Sequence, residues 1–254
     1  MRSVFASLPG VARLKRRRHW FAEQRAFRAE FEAFGQLAQA AGGRFALKWE
    51  DRWACLHDRT PATSFDTHYV YHCAWAVRVV AGIHPDFHVD IASSLHFCAQ
   101  LSAFIPVQFY DYRPAALHLP GLTTGAANLT ALSFASGSIR SLSCMHVVEH
   151  IGLGRYGDPL DPDGDLKAMA ELTRVLAPGG SLLFVVPVGQ ARIQFNAHRI
   201  YAFQQIRDGF ADLDLVEFSL VPDGDDVGLI AHADPALVER QKYGCGCFWF
   251  RKRP

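Results

Sequence analysis

The chain has 254 residues, half of them apolar, which suffices for one large core carrying an appendage. Lys and Arg total 26 against 25 Asp and Glu, giving a formal net charge of +1, so no overall basic field advertises a nucleic-acid partner. No apolar run approaches the roughly 18 residues that span a bilayer, so a soluble or at most peripheral protein is expected.

Residues 11–41 read as a helix, with Trp20, Phe27, Phe31, Phe34 and Ala38 spaced along one face. Lys15, Arg16, Arg17, Arg18 and His19 lead into that aromatic stripe. Such a pattern suits peripheral contact with an anionic membrane surface. The preferred alternative is a helix packed on its own domain with a solvated charged end. Gly42 and Gly43 end the helix, and the mixed stretch through Pro61 marks a boundary, giving an N-terminal helical extension over 1–65 and a main domain over 66–254. The stretch HYVYHCAWAVRVVAG places Tyr69, Cys73, Ala76 and Val80 at helical spacing and stops at Gly82. Tyr69, Tyr71 and His72 either overhang a cofactor or pack into the core.

Strands and helices then alternate. FHVDIA reads as a strand, followed by a helix over 95–103 and the strand PVQFYDYR. After an irregular Gly and Thr stretch comes the strand SIRSLSC. Asp165 is the expected N-cap of a helix bearing Leu166, Met169, Leu172 and Leu176, which Pro178, Gly179 and Gly180 stop. SLLFVVP is an unbroken apolar run, as a fully buried strand requires. A helix over 198–209, the strand LVEFSLV and the strand GCGCFWFRK complete the series. The alternation predicts a mostly parallel α/β sheet with an antiparallel end. Cysteines 55, 73, 98, 144, 245 and 247 are scattered through this core-rich chain with no leader pattern, so a reducing, cytoplasmic setting is expected.

Ligands of an open parallel sheet collect beyond the carboxyl ends of its strands. The first strand ends at Asp90, followed by the small residues Ala92, Ser93 and Ser94. The second ends at Asp111, whose carboxylate either accepts hydrogen bonds from the vicinal hydroxyls of a ribose or pairs with Arg113. Four segments, HVDIASSLHF, VQFYDYRP, NLTALSFASGSIRSLSCMHVVEHI and ELTRVLAPGGSLLFVVPVG, occur in an order and spacing that resemble a class I S-adenosylmethionine-dependent methyltransferase. More narrowly, HVVEHIGLGRYGDPLDPDGD together with FNAHRIY is similar to the domain-of-unknown-function family 268, a methyltransferase-like group.

The resemblance covers about residues 66–250. It implies a Rossmann-like methyltransferase fold, with a mostly parallel seven-stranded sheet and an antiparallel last strand, and S-adenosylmethionine as cofactor. Carried over by position, Asp90 orients the first turn, Ala92 and Ser94 line the methionine part, and Asp111 holds the ribose. Asn128 and Leu129 sit near the adenine, and Cys144 with Met145 closes the pocket. Where most of the superfamily has three glycines in the first turn, this chain has Ala92, Ser94 and His96, whose side chains take space that backbone contacts with the cofactor use. A catalytically degenerate binding or scaffold protein is therefore an alternative to an enzyme.

The run H-x-x-E-H at His146, Glu149 and His150 also reads as a zinc-hydrolase motif. That site needs a helix of several turns and a third ligand such as Glu217 or Asp225, yet Gly152, Gly154, Gly157 and Pro159 leave about one turn. In the sheet reading the same residues form a loop over the pocket. There His150 is the candidate general base, Glu149 and His146 support it, and Arg155 is a clamp for phosphate or carboxylate. Tyr156 and Asp158 are candidate substrate contacts, unless Arg155, Asp158 and Asp161 lock the loop through salt bridges. Arg192, Asn196, His198 and Arg199 supply a second polar set facing the same mouth. Two polar loops point to a small polar acceptor, a sugar or surface-glycan precursor, and so to polysaccharide biosynthesis.

Overall fold

The computed structural model describes residues 9–224 and 227–254. Contacts divide the chain into two units between Ser64 and Phe65. In the first, helix α1 runs Pro9–Ala40, and its Phe27 and Phe31 pack on Trp49 with ring centroids 6.0 and 5.0 Å apart. Trp20 and Phe34 of the expected stripe are exposed. No helix among the described residues is long and apolar enough to cross a membrane.

The second unit opens with helix α2, Thr67–Ile83, whose free N-terminal amides are met by the Asp66 side chain accepting from the Tyr69 N–H at 3.1 Å. Then follow strand β1 (His88–Ile91), helix α3 (Leu95–Leu101), and strands β2 (Val107–Asp111), β3 (Leu122–Ala126) and β4 (Ile139–Met145). Helix α4 (Gly164–Val175) leads into strand β5 (Leu176–Val188) and the short strands β6 (Arg192–Gln194) and β7 (His198–Ile200). Helix α5 (Phe203–Gly209) and strands β8 (Leu213–Val221) and β9 (Gly244–Lys252) close the unit.

Seven strands form one sheet in the order β3-β2-β1-β4-β5-β9-β8. The pairs β3–β2, β2–β1, β1–β4 and β4–β5 are parallel, while β9, the last in the chain, runs antiparallel to both β5 and β8. Along β5 the side chains alternate between two cores. Leu182, Phe184 and Val186 meet α4 and α5 residues such as Leu172, Met169 and Phe210, while Leu183 and Val185 join Trp75, Phe97 and Phe109 on the opposite face. Burial on both faces explains the unbroken apolar run.

Four features differ from expectation. The Gly and Thr stretch contains β3, an edge strand whose LTTGA sequence lacks an apolar alternation. Residues 198–200 are strand, not helix, because they pair with 192–194 in a two-stranded hairpin, and α5 starts only at Phe203. Pro178, Gly179 and Gly180 lie within β5, where pairing with β4 shifts register. Asp163 precedes α4, and Asp165 turns inward, accepting from the Tyr201 hydroxyl at 2.9 Å.

A buried polar chain locks the centre of the sheet. Ser141 Oγ lies 2.7 Å from His88 Nδ1, His88 Nε2 lies 2.8 Å from Ser143 Oγ, and the Ser143 hydroxyl donates to the Asp90 carboxylate. Asp90 Oδ1 also accepts the Ser93 N–H at 2.9 Å, and Ser93 Oγ accepts the Met145 N–H at 2.9 Å. Burial pushes the His88 pKa down to about 3, keeping the ring neutral as this chain of donors requires. It pushes Asp90 up to about 6 against the bonds from Ser143 and Ser93. We predict that His88→Ala, which opens a cavity and strands Ser141 and Ser143, lowers stability by about 2–4 kcal/mol. Urea denaturation will show a lower midpoint at unchanged slope; an unshifted midpoint contradicts the role given to this chain.

Candidate functional site

A cavity of ≈ 320 Å³ opens at the carboxyl ends of β1, β2 and β4, a volume in the range of small-ligand sites. Its floor is Ile91 and Ala92 after β1, Asp111 at the tip of β2, and Asn128 and Leu129 after β3. Its roof is the long loop from His146 to Asp161, closed by Gly164 at the start of α4.

Ala92 has φ +56°, the left-handed conformation that a glycine would adopt more cheaply, and its N–H bonds the Tyr110 carbonyl at 2.7 Å. The turn therefore keeps a glycine-type backbone with alanine in it. Ser94 is the N-cap of α3 and His96 is exposed on that helix, and neither lines the cavity. Asp90 and Cys144 are fully buried and also stand outside the lining. Their placement is that of supports beneath the turn.

Asp111 accepts the Arg113 N–H through Oδ1 at 2.8 Å, and no hydrogen bond to its Oδ2 occurs among the described residues. The Arg113 guanidinium is not its partner: it stacks over the Tyr156 ring at 4.7 Å. Asn128 Oδ1 accepts from the Thr130 N–H and hydroxyl at 3.0 and 2.9 Å, which directs its amide nitrogen outward as a donor. Leu129 is buried and gives an apolar wall.

The roof begins at His146, also at positive φ (+56°), where the chain leaves β4. A single turn follows, Val148–His150. Glu149 is almost fully buried; its Oε1 accepts from His146 Nδ1 at 2.9 Å and lies 3.8 Å from His150 Nε2, while its Oε2 has no partner. His150 Nδ1 donates to the Ala197 carbonyl at 2.6 Å, which leaves Nε2 as the unprotonated nitrogen of this cavity-lining ring. Burial lowers the His150 pKa, with the Glu149 charge opposing, so the neutral form prevails. At His146 burial works the other way from its neighbours, but Cys245 and Glu149 outweigh it and raise the pKa. Tyr69 stacks on the His146 ring at 5.5 Å.

The loop is shaped mainly by backbone amides. Asp158 accepts from the Gly152 N–H at 2.7 Å, the Tyr156 N–H at 3.2 Å and the Gly154 N–H at 3.4 Å. Slight burial opposes its charge, but these amides hold Asp158 below the ordinary carboxylate range. Arg155 donates to the Ala197 carbonyl at 2.9 Å, and Asp161 pairs with Lys167 at 2.6 Å, so the expected salt bridges among Arg155, Asp158 and Asp161 are replaced by these bonds.

The second polar set is largely committed elsewhere. Arg199 is buried and donates to the Ile151 carbonyl at 2.6 Å and the Pro162 carbonyl at 3.1 Å, with Asp165 at 3.5 Å, so it pins the loop from inside. Arg192 donates to the Gln190 and Lys242 carbonyls. Asn196 is exposed in the β6–β7 turn, and His198, bonded to Gln194, lies 6.3 Å from the His150 ring. None of these four lines the cavity. Arg113 and Thr130 do, and only their positions just after strand tips could have marked them.

His146 and His150 do not share a metal position, because His146 directs Nε2 toward Cys245 Sγ at 3.5 Å while His150 bonds Ala197. Glu217 accepts from Trp75 Nε1 and the Ser219 hydroxyl, and Asp225 lies outside the described residues.

No curated protein sequence matches this chain. Among solved structures, the N-methyltransferase NodS from Bradyrhizobium japonicum WM9, in complex with S-adenosylhomocysteine, superposes with a TM-score of 0.55 at 16% identity, covering 78% of this chain and 90% of that one. A putative methyltransferase from Bacillus halodurans gives 0.52 at 13% identity, covering 72% and 99%. A putative sarcosine dimethylglycine methyltransferase from Galdieria sulphuraria gives 0.52 at 13% identity, covering 72% and 86%. At such identities the likeness is one of fold. Residues 134–218, which carry β4, the roof loop, α4 and β5, match the family described as Caenorhabditis protein of unknown function, DUF268. The chain thus has the fold of these methyltransferase structures, and its residues 134–218, across the roof of the cavity, are similar to the DUF268 family.

Proposed function

We propose that the protein transfers a methyl group from S-adenosylmethionine to a hydroxyl of a small polar acceptor. The observation that carries this reading is the cavity at the strand ends, where Asp111 stands half-buried at the tip of β2 beside the left-handed turn at Ala92. The donor set fits a nucleoside. Asp111 can accept from vicinal ribose hydroxyls, the Asn128 amide can donate to a ring nitrogen, and Ile91 and Leu129 offer apolar surface to a base. Bound there, the cofactor supplies an electrophilic sulfonium methyl.

The chain's own residues then align and deprotonate the acceptor. His150 keeps Nε2 free by donating Nδ1–H to Ala197, and so accepts the hydroxyl proton. Arg113 and Arg155, both stacked on Tyr156, put positive charge at the rim, where a phosphate or carboxylate on the acceptor would sit. A sugar or surface-glycan precursor combines these features, and a role in polysaccharide biosynthesis follows from that acceptor class. The six free cysteines support a reducing, cytoplasmic setting. A catalytically silent binding or scaffold role is the second reading, favoured by the methyl group of Ala92 in the turn.

Isothermal titration with S-adenosylhomocysteine is expected to give micromolar binding, weakened at least tenfold, about 1.4 kcal/mol, by Asp111→Ala. Equal affinity of the two proteins would remove Asp111 from the site. Because burial holds the His150 pKa below its ordinary value of 6.5 and the neutral ring is the active form, the acid limb of kcat/KM is expected below pH 6.5. His150→Gln is expected to lower kcat roughly a hundredfold and abolish that limb. Binding without turnover on any hydroxylated acceptor, followed as S-adenosylhomocysteine release, selects the scaffold reading instead.

A further inference from the structure

We propose that His68, His146 and Cys245 form a site for a zinc-class divalent cation at the edge of the cavity. Three elements remote in sequence bring these donors together: the first turn of α2, the residue after β4 and the start of β9. One ligand atom from each lies within 4.8 Å of the others. Tetrahedral zinc, bonded at about 2.1 Å to nitrogen and about 2.3 Å to sulfur, sets such donors about 3.6 Å apart. His146 Nε2 and Cys245 Sγ are already 3.5 Å apart. The half-buried His68, whose ring stacks on His146 at 5.4 Å and on Tyr243 at 5.0 Å, needs a shift of roughly 1 Å to complete such a set.

The support of His146 is that of a metal ligand. Glu149 Oε1 takes the Nδ1–H at 2.9 Å, which fixes the tautomer and turns Nε2 toward the thiol, in the carboxylate–histidine arrangement found behind bound cations. The positive φ of His146 holds the ring in that place as the chain turns out of β4. Neighbouring groups are not competing ligands. His72 has Nδ1 on the His68 carbonyl at 2.7 Å and Nε2 beside the Cys73 thiol at 3.5 Å, and Cys247 Sγ reaches the cluster only through Cys245 at 4.0 Å. Cation binding displaces the Cys245 thiol proton and the proton on His146 Nε2 to solvent, leaving a coordinated thiolate and a neutral imidazole.

Two nitrogens and a thiolate suit a borderline cation such as Zn²⁺ over Mg²⁺ or Ca²⁺. Three protein donors leave one position open. That position would take a water or another oxygen or sulfur ligand, whose proton the cation makes easier to remove. The site stands independently of the cofactor reading, because none of its three ligands is assigned to the nucleoside.

The test is titration of the metal-free full-length protein with Co²⁺. One equivalent per chain is expected, with visible d–d bands and a near-ultraviolet thiolate charge-transfer band, both removed by added Zn²⁺. Cys245→Ser is expected to abolish the charge-transfer band, and His68→Gln to weaken Co²⁺ binding at least tenfold. His150→Gln leaves both signals in place. Circular dichroism of each metal-free variant separates loss of the site from loss of the fold, and His68, being half-buried, decides the matter should Cys245→Ser fail to fold. Absence of a saturable one-equivalent signal, a charge-transfer band surviving in Cys245→Ser, or a His68→Gln affinity equal to wild type would each overturn the proposal. Titration with S-adenosylhomocysteine in the absence of metal reads the cofactor site separately.

Discussion

Asp90 is fully buried at the end of β1, where its carboxylate takes the Ser143 hydroxyl from β4 and the Ser93 N–H from the turn that follows. A carboxylate held this way ties two neighbouring strands and the turn between β1 and α3 into one rigid unit. His88 and Ser141 extend the chain beneath it, so each of these buried side chains has a partner. The consequence is felt a few ångströms away. With Ser93 Oγ accepting the Met145 N–H, the end of β4 is tied to the turn in which Ala92, without glycine, takes the left-handed conformation beside the cavity.

The roof above that cavity is built by different means. Gly152 at φ +80° comes so close to the Asp161 carbonyl that a Cβ would stand 2.0 Å from the oxygen, and the Asp158 carboxylate gathers the amides of Gly152, Tyr156 and Gly154. Arg199 reaches from β7 to the loop's inner carbonyls. These bonds use main-chain groups, so the loop holds its shape while the side chains of His150 and Tyr156 face the cavity. The His150 Nε2, left unprotonated by the bond from Nδ1 to Ala197, is what such a division of labour leaves for chemistry in the cavity.

The sheet was legible in the sequence because burial on both faces writes long apolar runs, as in SLLFVVP, and because Asp90 and Asp111 fall at strand tips. β3 was not, since an edge strand of LTTGA meets little core and has no pattern to show. HRIY was read as part of a helix because three residues of a hairpin are too few to show a period of two, and their pairing with Arg192–Gln194 is tertiary information. The roof residues His146, Glu149 and His150 were found by their chemistry, and the strand preceding them correctly argued against a zinc helix. Arg199 was misplaced as a substrate contact, because a sequence shows an arginine's charge but not which carbonyls it meets. The convergence of His68, His146 and Cys245 was invisible for the same reason: Cys245 follows His146 by 99 positions, and only the β5–β9 pairing brings them together.

We propose that the cavity at the strand ends holds a nucleoside cofactor with its ribose on Asp111. A crystal structure of the full chain grown with S-adenosylhomocysteine tests it most directly. The ligand is expected between Ala92 and the roof loop, with both ribose hydroxyls on the Asp111 carboxylate and the base against Leu129. A ligand seated elsewhere, or one in the cavity with its ribose turned away from Asp111, would contradict it.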